Sequence, residues 1–252
     1  MTPRALAGAW KAACSVADNV ILSVPAGKAY QIWPVTLAGP CTNGIKLLLL
    51  PDDWARGERG QWLHFHGVKD LTVTRDRRRS FAHRSLHPRQ FTLFEDCHDI
   101  SVKGPCRALY HYHLTFTRSS NVEANYLRVT SPEDSVNTNG VHLVDSYNVH
   151  VMDNLISTDF IGTLGEHNSN GGGFARKVKF ESIVMRNVTN PIIIDQRHSN
   201  YLEVADSSQT LVNVKGTVQG CRAIFKREFT LLLHRAKKKY FPDIEFWLSR
   251  FS

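Results

Sequence analysis

A repeat between residues 65 and 151 constrains the fold of this chain more than any other feature. Each copy starts with an apolar residue, passes through small or polar residues to an Asp or Asn, and then places apolar residues two positions apart. The copies start 29, 22 and 27 residues apart, and they are Phe65–Val73, Phe94–Val102, Phe116–Ala124 and Leu143–Val151. Weaker copies follow at Phe180–Val188 and near Leu211–Val214. Repeats of roughly 20–50 residues are typical of solenoid proteins.

The short copies leave room for strands but not for a helix, which excludes ankyrin and tetratricopeptide arrays. The Leu-x-x-Leu-x-Leu frame of leucine-rich repeats is absent from the sequence. In a parallel β-helix, strands stack about 4.8 Å apart and apolar residues at alternate positions fill the interior. We therefore predict an all-β fold, a single-stranded right-handed parallel β-helix. The pattern leaves one alternative open, a β-sandwich with irregular hairpins.

The polar residue that the copies share predicts a tight turn at the same place in each coil. Asp and Asn tolerate left-handed backbone and form hydrogen bonds with their own main chain. The residues in question are Asp70, Asp99, Asn121 and Asn148.

The N-terminus predicts a short capping helix for the open end of the β-helix. Thr2 is a suitable N-cap, and Pro3 suits the first helical position. Apolar residues then recur at helical spacing and would cover the core; they are Leu6, Ala9, Trp10 and Ala13.

The net charge of +8 suits a polyanionic partner, because charge attraction steers and concentrates such a ligand. Basic residues cluster in Arg75–Arg89 and Lys237–Lys239, and Arg75–Pro88 lacks strand periodicity, which predicts an exposed loop. The basic segments lack interleaved aromatic residues, so we expect no nucleic-acid partner. No run of about 18 apolar residues exists, so we expect no membrane span. The start Met1–Arg4 has no apolar signal core, which indicates a cytosolic protein or a missing N-terminus.

Three further motifs carry a resemblance to a known family. They are AWKAAC at Ala9–Cys14, SPEDSVNTNGVH at Ser131–His142, and KVKFESIVMRNVTNPIIIDQ at Lys177–Gln196. With the repeats, they make most of residues 9–217 resemble plant polygalacturonases, the pectin-hydrolysing β-helix glycosidases. The resemblance implies hydrolysis of α-1,4-galacturonan in cell walls with inversion, homogalacturonan as the partner, no cofactor, a monomer and secretion. It also implies a disulfide between Cys14 and Cys41.

The resemblance also implies where the catalytic residues should stand. Asn137 and Asn139 share one face of the strand, because side chains alternate along it. The family has Asn-Thr-Asp there, so Asn139 stands at the position of a catalytic aspartate, or else it is a turn or ladder residue. The family's Gly-Asp-Asp should follow Thr158, where this chain has Asp159 and Phe160. Asp159 is thus the remaining candidate acid, with a turn residue as the alternative.

Substrate contacts follow from the same resemblance. We expect Asn137 and His142 beside the substrate, and Arg176 with Lys177 binding galacturonate carboxylates. The alternatives are a core histidine and solvated charges. Asn187 begins an Asn-x-Thr sequon, relevant to a secreted chain. We expect no metal site, because the histidines and cysteines show no ligand spacing.

The family's Gly-His-Gly and Arg-Ile-Lys are absent, which indicates that segments are missing. We predict a β-helix domain over residues 1–224, internally shortened near 159–176, and a divergent basic and aromatic tail over 225–252. The tail is either an amphipathic cap or sequence foreign to the family. The functional hypothesis is a polygalacturonase-like hydrolase of weak or no activity. The alternatives are a noncatalytic pectin binder and a defective gene product that does not fold stably.

Overall fold

The computed structural model describes residues 3–26, 29–31, 34–49, 53–55, 61–75, 90–107, 112–130, 140–157, 163–164, 174–188, 193–194, 213–219, 221–225 and 246–248. Helix α1 spans Pro3–Cys14, so it begins at the proline that pre-sets a helical φ. Its buried face consists of Leu6, Trp10 and Ala13, while Ala9 is partly exposed. No helix in the described part of the chain is long and apolar enough to cross a membrane.

The strands of the described residues follow α1 in chain order. The first seven are β1 Val20–Val24, β2 Ala29–Gln31, β3 Val35–Ala38, β4 Ile45–Leu49, β5 Asp53–Ala55, β6 Gln61–His66 and β7 Lys69–Arg75. The next seven are β8 Gln90–Glu95, β9 His98–Arg107, β10 Tyr112–Thr117, β11 Ser120–Thr130, β12 Val141–Val144, β13 Tyr147–Met152 and β14 Leu155–Ser157. The last seven are β15 Thr163–Leu164, β16 Phe174–Glu181, β17 Val184–Val188, β18 Ile193–Ile194, β19 Asn213–Gln219, β20 Cys221–Phe225 and β21 Phe246–Leu248.

Parallel pairing joins these strands into a β-solenoid. Within the described residues a long sheet has 12 strands, with β1-β4-β7-β9-β11-β14-β17-β20-β21 in order and β13, β16 and β19 beside this path. A short sheet has 7 strands in the order β18-β15-β12-β10-β8-β6-β3. A third sheet has two strands, β2 and β5. The chain returns to the same sheets coil after coil, so each strand lies beside the equivalent strand of the next coil. The predicted parallel β-helix is confirmed, and the sandwich alternative is wrong.

The interior contains two rows of apolar side chains in register, as the repeat predicts. In the short sheet, Phe65 pairs with Phe94, Phe94 with Phe116, and Phe116 with Leu143. The ring centroids are 4.9 Å apart in both Phe–Phe contacts, and the rings are nearly parallel. In the long sheet the second buried row runs in register through Val73, Val102, Ala124 and Val151.

The turn between the two sheets has the left-handed backbone that the sequence predicts. The residues at this corner have φ between 54° and 57°, and they are Asp70, Asp99, Asn121 and Asn148. Lys177 takes the same position in the next coil, with a φ of 53°. A long side chain thus stands where the four preceding coils have Asp or Asn.

Two expectations from the sequence are wrong. One is the placement of the weaker repeat copy that starts at Phe180, and the other is the start of the exposed loop at Arg75. Phe180 pairs with Val151 in the long sheet rather than with Leu143 in the short sheet. Ser182, two residues later, has a φ of 51° and follows the second corner of the coil, where Asp153 has 53°. Both corners use an apolar residue followed by a polar turn, so the sequence pattern does not distinguish them. Arg75 is the buried last residue of β7 and not part of an exposed loop.

Helix α1 covers one end of the solenoid. It contacts β1 and β3, the terminal strands of the long and short sheets. Trp10 donates from Nε1 to the carbonyl of Ala38 at 2.9 Å, and its ring lies 5.6 Å from that of Phe65. A disulfide joins Cys14 to Cys41, the pairing that the family resemblance implies. At the other end of the solenoid, β21 pairs with β20. The division into a β-helix domain over residues 1–224 and a tail over 225–252 stays a prediction.

Candidate functional site

The outer face of the short sheet presents two rows of side chains along the solenoid. Along each strand, side chains on this face alternate with side chains in the apolar interior, because successive side chains of a strand point to opposite faces. One row runs in register through His64, Leu93, Thr115 and His142. The second row runs in register through His66, Glu95, Thr117 and Val144. These two rows form the outer face.

His142 is the predicted site residue that the structure places on this outer face. Its exposed fraction is 2%, and that of the neighbouring Thr115 is 1%. The outer face is therefore shielded from solvent at Thr115 and His142, and the His142 side chain is not open to a polymer from the bulk. Asn137, Asn139 and Asp159 lie outside the described residues, so their roles stay predictions.

The two predicted cationic residues lie in a different sheet from His142. Arg176 and Lys177 lie in β16 of the long sheet, whereas His142 lies in β12 of the short sheet. Lys177 Nζ stands 5.1 Å from the centre of the Tyr147 ring, which gives its charge a cation–π contact. Asn187 lies in β17, and its side chain falls outside the described part of the structure.

A charged cluster occupies the other end of the outer face. It consists of His64, His66, Glu95, Asp96 and Arg118. His64 Nε2 lies 2.9 Å from Glu95 Oε2, and His66 Nδ1 lies 3.6 Å from the same oxygen. Arg118 binds Glu95 through Oε1 and binds both oxygens of Asp96, at 2.8 and 3.1 Å. The guanidinium thus holds two adjacent carboxylates in place.

This arrangement keeps both carboxylates ionised. Partial burial would raise the pKa of Glu95, but its hydrogen bonds with Arg118 and with His64 outweigh this effect and hold the pKa below 4.5. Hydrogen bonds from Arg118 are the largest influence on Asp96 and hold its pKa below 3.8. A general acid near neutral pH needs a raised pKa, so neither group suits that role. The cluster suits the binding of a cation or of hydrogen-bond donors.

Sequence reasoning did not find this charged cluster, although a signal was present. His66 and Glu95 each follow the first phenylalanine of a repeat copy, Phe65 and Phe94. Equivalent positions of neighbouring copies lie side by side in a solenoid, so the repeat itself places the two side chains together. Arg118 comes from the corner of the next coil.

No family model matches the chain. Polygalacturonase of Persea americana is 27% identical over 293 residues, an alignment that covers 84% of this chain and 62% of that protein. Polygalacturonase QRT2 of Arabidopsis thaliana is 26% identical and covers 85% of this chain and 66% of that protein. A polygalacturonase of Malus domestica is 26% identical, and the alignment covers 79% of this chain and 59% of that protein. The chain spans about three fifths to two thirds of the length of these relatives.

The alignment with the Persea americana protein is longer than the chain itself, 293 positions against 252 residues. That relative therefore has segments for which this chain has no counterpart. Among solved structures, the catalytic domain of a GH87 alpha-1,3-glucanase aligns with 93% of this chain at 9% identity, with a TM-score of 0.29. The sequence matches agree with the β-solenoid and with the motifs quoted above. The chain is thus similar in sequence to plant polygalacturonases over about four fifths or more of its length.

Proposed function

We propose that this chain is a polygalacturonase-like glycoside hydrolase of cell-wall homogalacturonan whose own turnover is weak or absent. One observation carries the assignment to this class: polygalacturonases match the sequence over about four fifths or more of its length. The parallel solenoid supports it, because stacked coils offer a long surface that suits a linear polymer.

The chemistry of inversion explains why we expect weak turnover. One carboxylic acid must protonate the leaving oxygen, and a carboxylate about 6.5–9.5 Å away must activate water. Asn139 stands where the family resemblance implies one of these carboxylates, and an amide does not take up a proton near neutral pH. Asp159 is then the one remaining candidate, and a single carboxylate does not supply both an acid and a base.

The proposed setting of this activity is the cell wall. Disulfides persist in oxidising compartments such as the secretory pathway, so the Cys14–Cys41 bond supports secretion. A net charge of +8 favours binding to an acidic polysaccharide. In this setting Asn187 is a proposed glycosylation site, and we expect the protein to be a monomer.

The first experiment measures the release of reducing ends from polygalacturonate at mildly acidic pH. We expect turnover at least about 10⁴-fold below that of the Persea americana enzyme, because losing an acid or a base typically costs 10²–10⁴-fold and such losses act together. Asn139→Asp alone should not restore activity. Robust hydrolysis by the unmodified chain would show that other carboxylates form a working site.

A noncatalytic pectin binder is the second candidate, favoured by the positive charge together with Asn139. We expect retention on a pectate column that weakens as salt rises. Lys177→Gln should elute earlier than Lys11→Gln, an equal charge change on the exposed face of α1. Equal elution of the two variants would remove Lys177 from the binding surface. A chain that circular dichroism shows to be unfolded would favour the third candidate, a defective gene product.

A further inference from the structure

The charged cluster contains three groups that suit a metal ion. His64 and His66 stand two residues apart on β6 and point to the outer face together, and Glu95 comes from the adjacent strand β8. One ligand atom from each, His64 Nε2, His66 Nδ1 and a Glu95 carboxylate oxygen, lies within 4.8 Å of the other two. Imidazole nitrogen with carboxylate oxygen is a donor set that zinc uses in proteins.

The separations fit a small tetrahedral ion. Zinc bonds of about 2.0–2.1 Å at tetrahedral angles place neighbouring ligand atoms about 3.3–3.5 Å apart. Glu95 Oε2 lies 2.9 Å from His64 Nε2 and 3.6 Å from His66 Nδ1, values on either side of that range. His64 Nε2 and His66 Nδ1 lie within 4.8 Å of each other, so side-chain rotations must bring the two imidazole nitrogens to the spacing that one ion requires. His66 is half exposed and leaves an open path for an ion from solvent.

Partners outside the three ligands orient them. Thr36 Oγ1 lies 3.4 Å from His64 Nδ1, so it can accept a hydrogen bond from Nδ1–H and leave Nε2 free to bind metal. Arg118 holds Glu95 through Oε1 and leaves Oε2 directed at the two histidines. Asp96 and Glu95 carry two negative charges against the single positive charge of Arg118, and this excess negative charge favours a cation.

We propose that His64, His66 and Glu95 form a binding site for a divalent zinc-type ion on the outer face of the solenoid. Water completes the coordination, as in zinc sites with three protein ligands. The proposal does not depend on the proposed hydrolysis, because none of the three ligands is among the residues proposed for catalysis or substrate binding. The competing explanation is a plain ion pair, in which His64 donates from Nε2 to Glu95.

The test is a calorimetric titration of the tag-free, chelator-treated full chain with Zn²⁺, together with the visible spectrum of the Co²⁺ complex. We expect one ion per chain and the absorption of four-coordinate Co²⁺. His66→Gln and Glu95→Gln should each weaken binding by more than the roughly 10- to 100-fold that losing an outer partner costs, and Thr36→Val should cost about 10-fold.

His150→Gln is the matched control. It breaks a similar ion pair, His150 Nε2 to Glu181 Oε2 at 2.9 Å, without touching the proposed ligands. Its zinc affinity should match that of the unmodified chain. Circular dichroism checks that each variant is folded, and His66→Gln is the safest substitution because its side chain is half exposed. Absence of 1:1 binding at about millimolar Zn²⁺, or unchanged affinity in folded His66→Gln, overturns the proposal in favour of the ion pair.

Discussion

Asn148 donates a hydrogen bond from its Nδ2 to Oδ1 of Asn121, 2.8 Å away in the neighbouring coil. Asn121 repeats the contact toward Asp99 Oδ1 at 2.7 Å. All three residues have left-handed backbone at the corner between the sheets. The ladder thus links coils through side chains at a place where strand pairing alone does not.

Lys177→Asn should stabilise the protein by about 1 kcal/mol. Lys177 occupies the next rung in a left-handed conformation, which Asn tolerates better than Lys. A new hydrogen bond to Asn148 Oδ1 contributes about 0.5–1.5 kcal/mol, against about 0.5–1 kcal/mol for the lost cation–π contact with Tyr147. Urea unfolding measures the change. Lys69 is an exposed strand residue at the same corner, and Lys69→Asn should not raise the free energy of unfolding. A lower free energy of unfolding for Lys177→Asn would contradict the ladder account.

Phe94→Ala should lower the free energy of unfolding by about 3–5 kcal/mol. Phe94 is fully buried between the rings of Phe65 and Phe116, so its removal leaves a cavity in the aromatic stack. Phe94→Leu keeps part of the volume and should cost roughly 1–2 kcal/mol. Ile21→Ala is the control, since Ile21 is 64% exposed and should change stability by less than about 0.5 kcal/mol. Similar losses in Phe94→Ala and Ile21→Ala would contradict the stacked core.

Arg118→Gln should remove an acid-sensitive part of the stability. The folded-state pKa values of Glu95 and Asp96 are lowered from 4.5 and 3.8, so their contribution is present above those values and is lost as pH falls through the lowered ones. These ion pairs are partly exposed, so the total is about 1 kcal/mol or less.

Unfolding curves of Arg118→Gln between about pH 3 and 7 measure this contribution. The stability difference from the unmodified chain should be largest near neutral pH and should shrink on acidification. Arg128 is an exposed strand residue outside the charged cluster. The stability of Arg128→Gln should therefore depend on pH in the same way as that of the unmodified chain. A pH-independent difference for Arg118→Gln would show that its role is packing rather than charge.

Replacing both Cys14 and Cys41 with serine should lower stability by about 3 kcal/mol. The bond closes a loop with a sequence separation of 27, and the entropy of the unfolded chain rises when that loop opens. Thermal or urea unfolding with and without reductant measures the effect. Reductant should not change the stability of the double variant. Equal stability of the unmodified chain in its oxidised and reduced forms would contradict the prediction.

Much of the fold was predictable because a solenoid repeats one local pattern. Equivalent positions of successive copies become neighbours, so the spacing of Phe65, Phe94 and Phe116 was enough to predict the aromatic row. The Asp and Asn residues at the corner were predictable for the same reason. The family resemblance implied the Cys14–Cys41 pair, which no spacing rule supplies.

The sequence by itself determined the coil, its interior rows, its corner and the capping helix, since each depends on short-range alternation and turn chemistry. Tertiary structure alone decided which corner Phe180 follows, because both corners share one pattern. It also decided that His142 is buried on the outer face, and that His64, His66, Glu95 and Arg118 meet. Those outcomes depend on register between coils and on the distances that side chains reach, which a linear sequence does not fix.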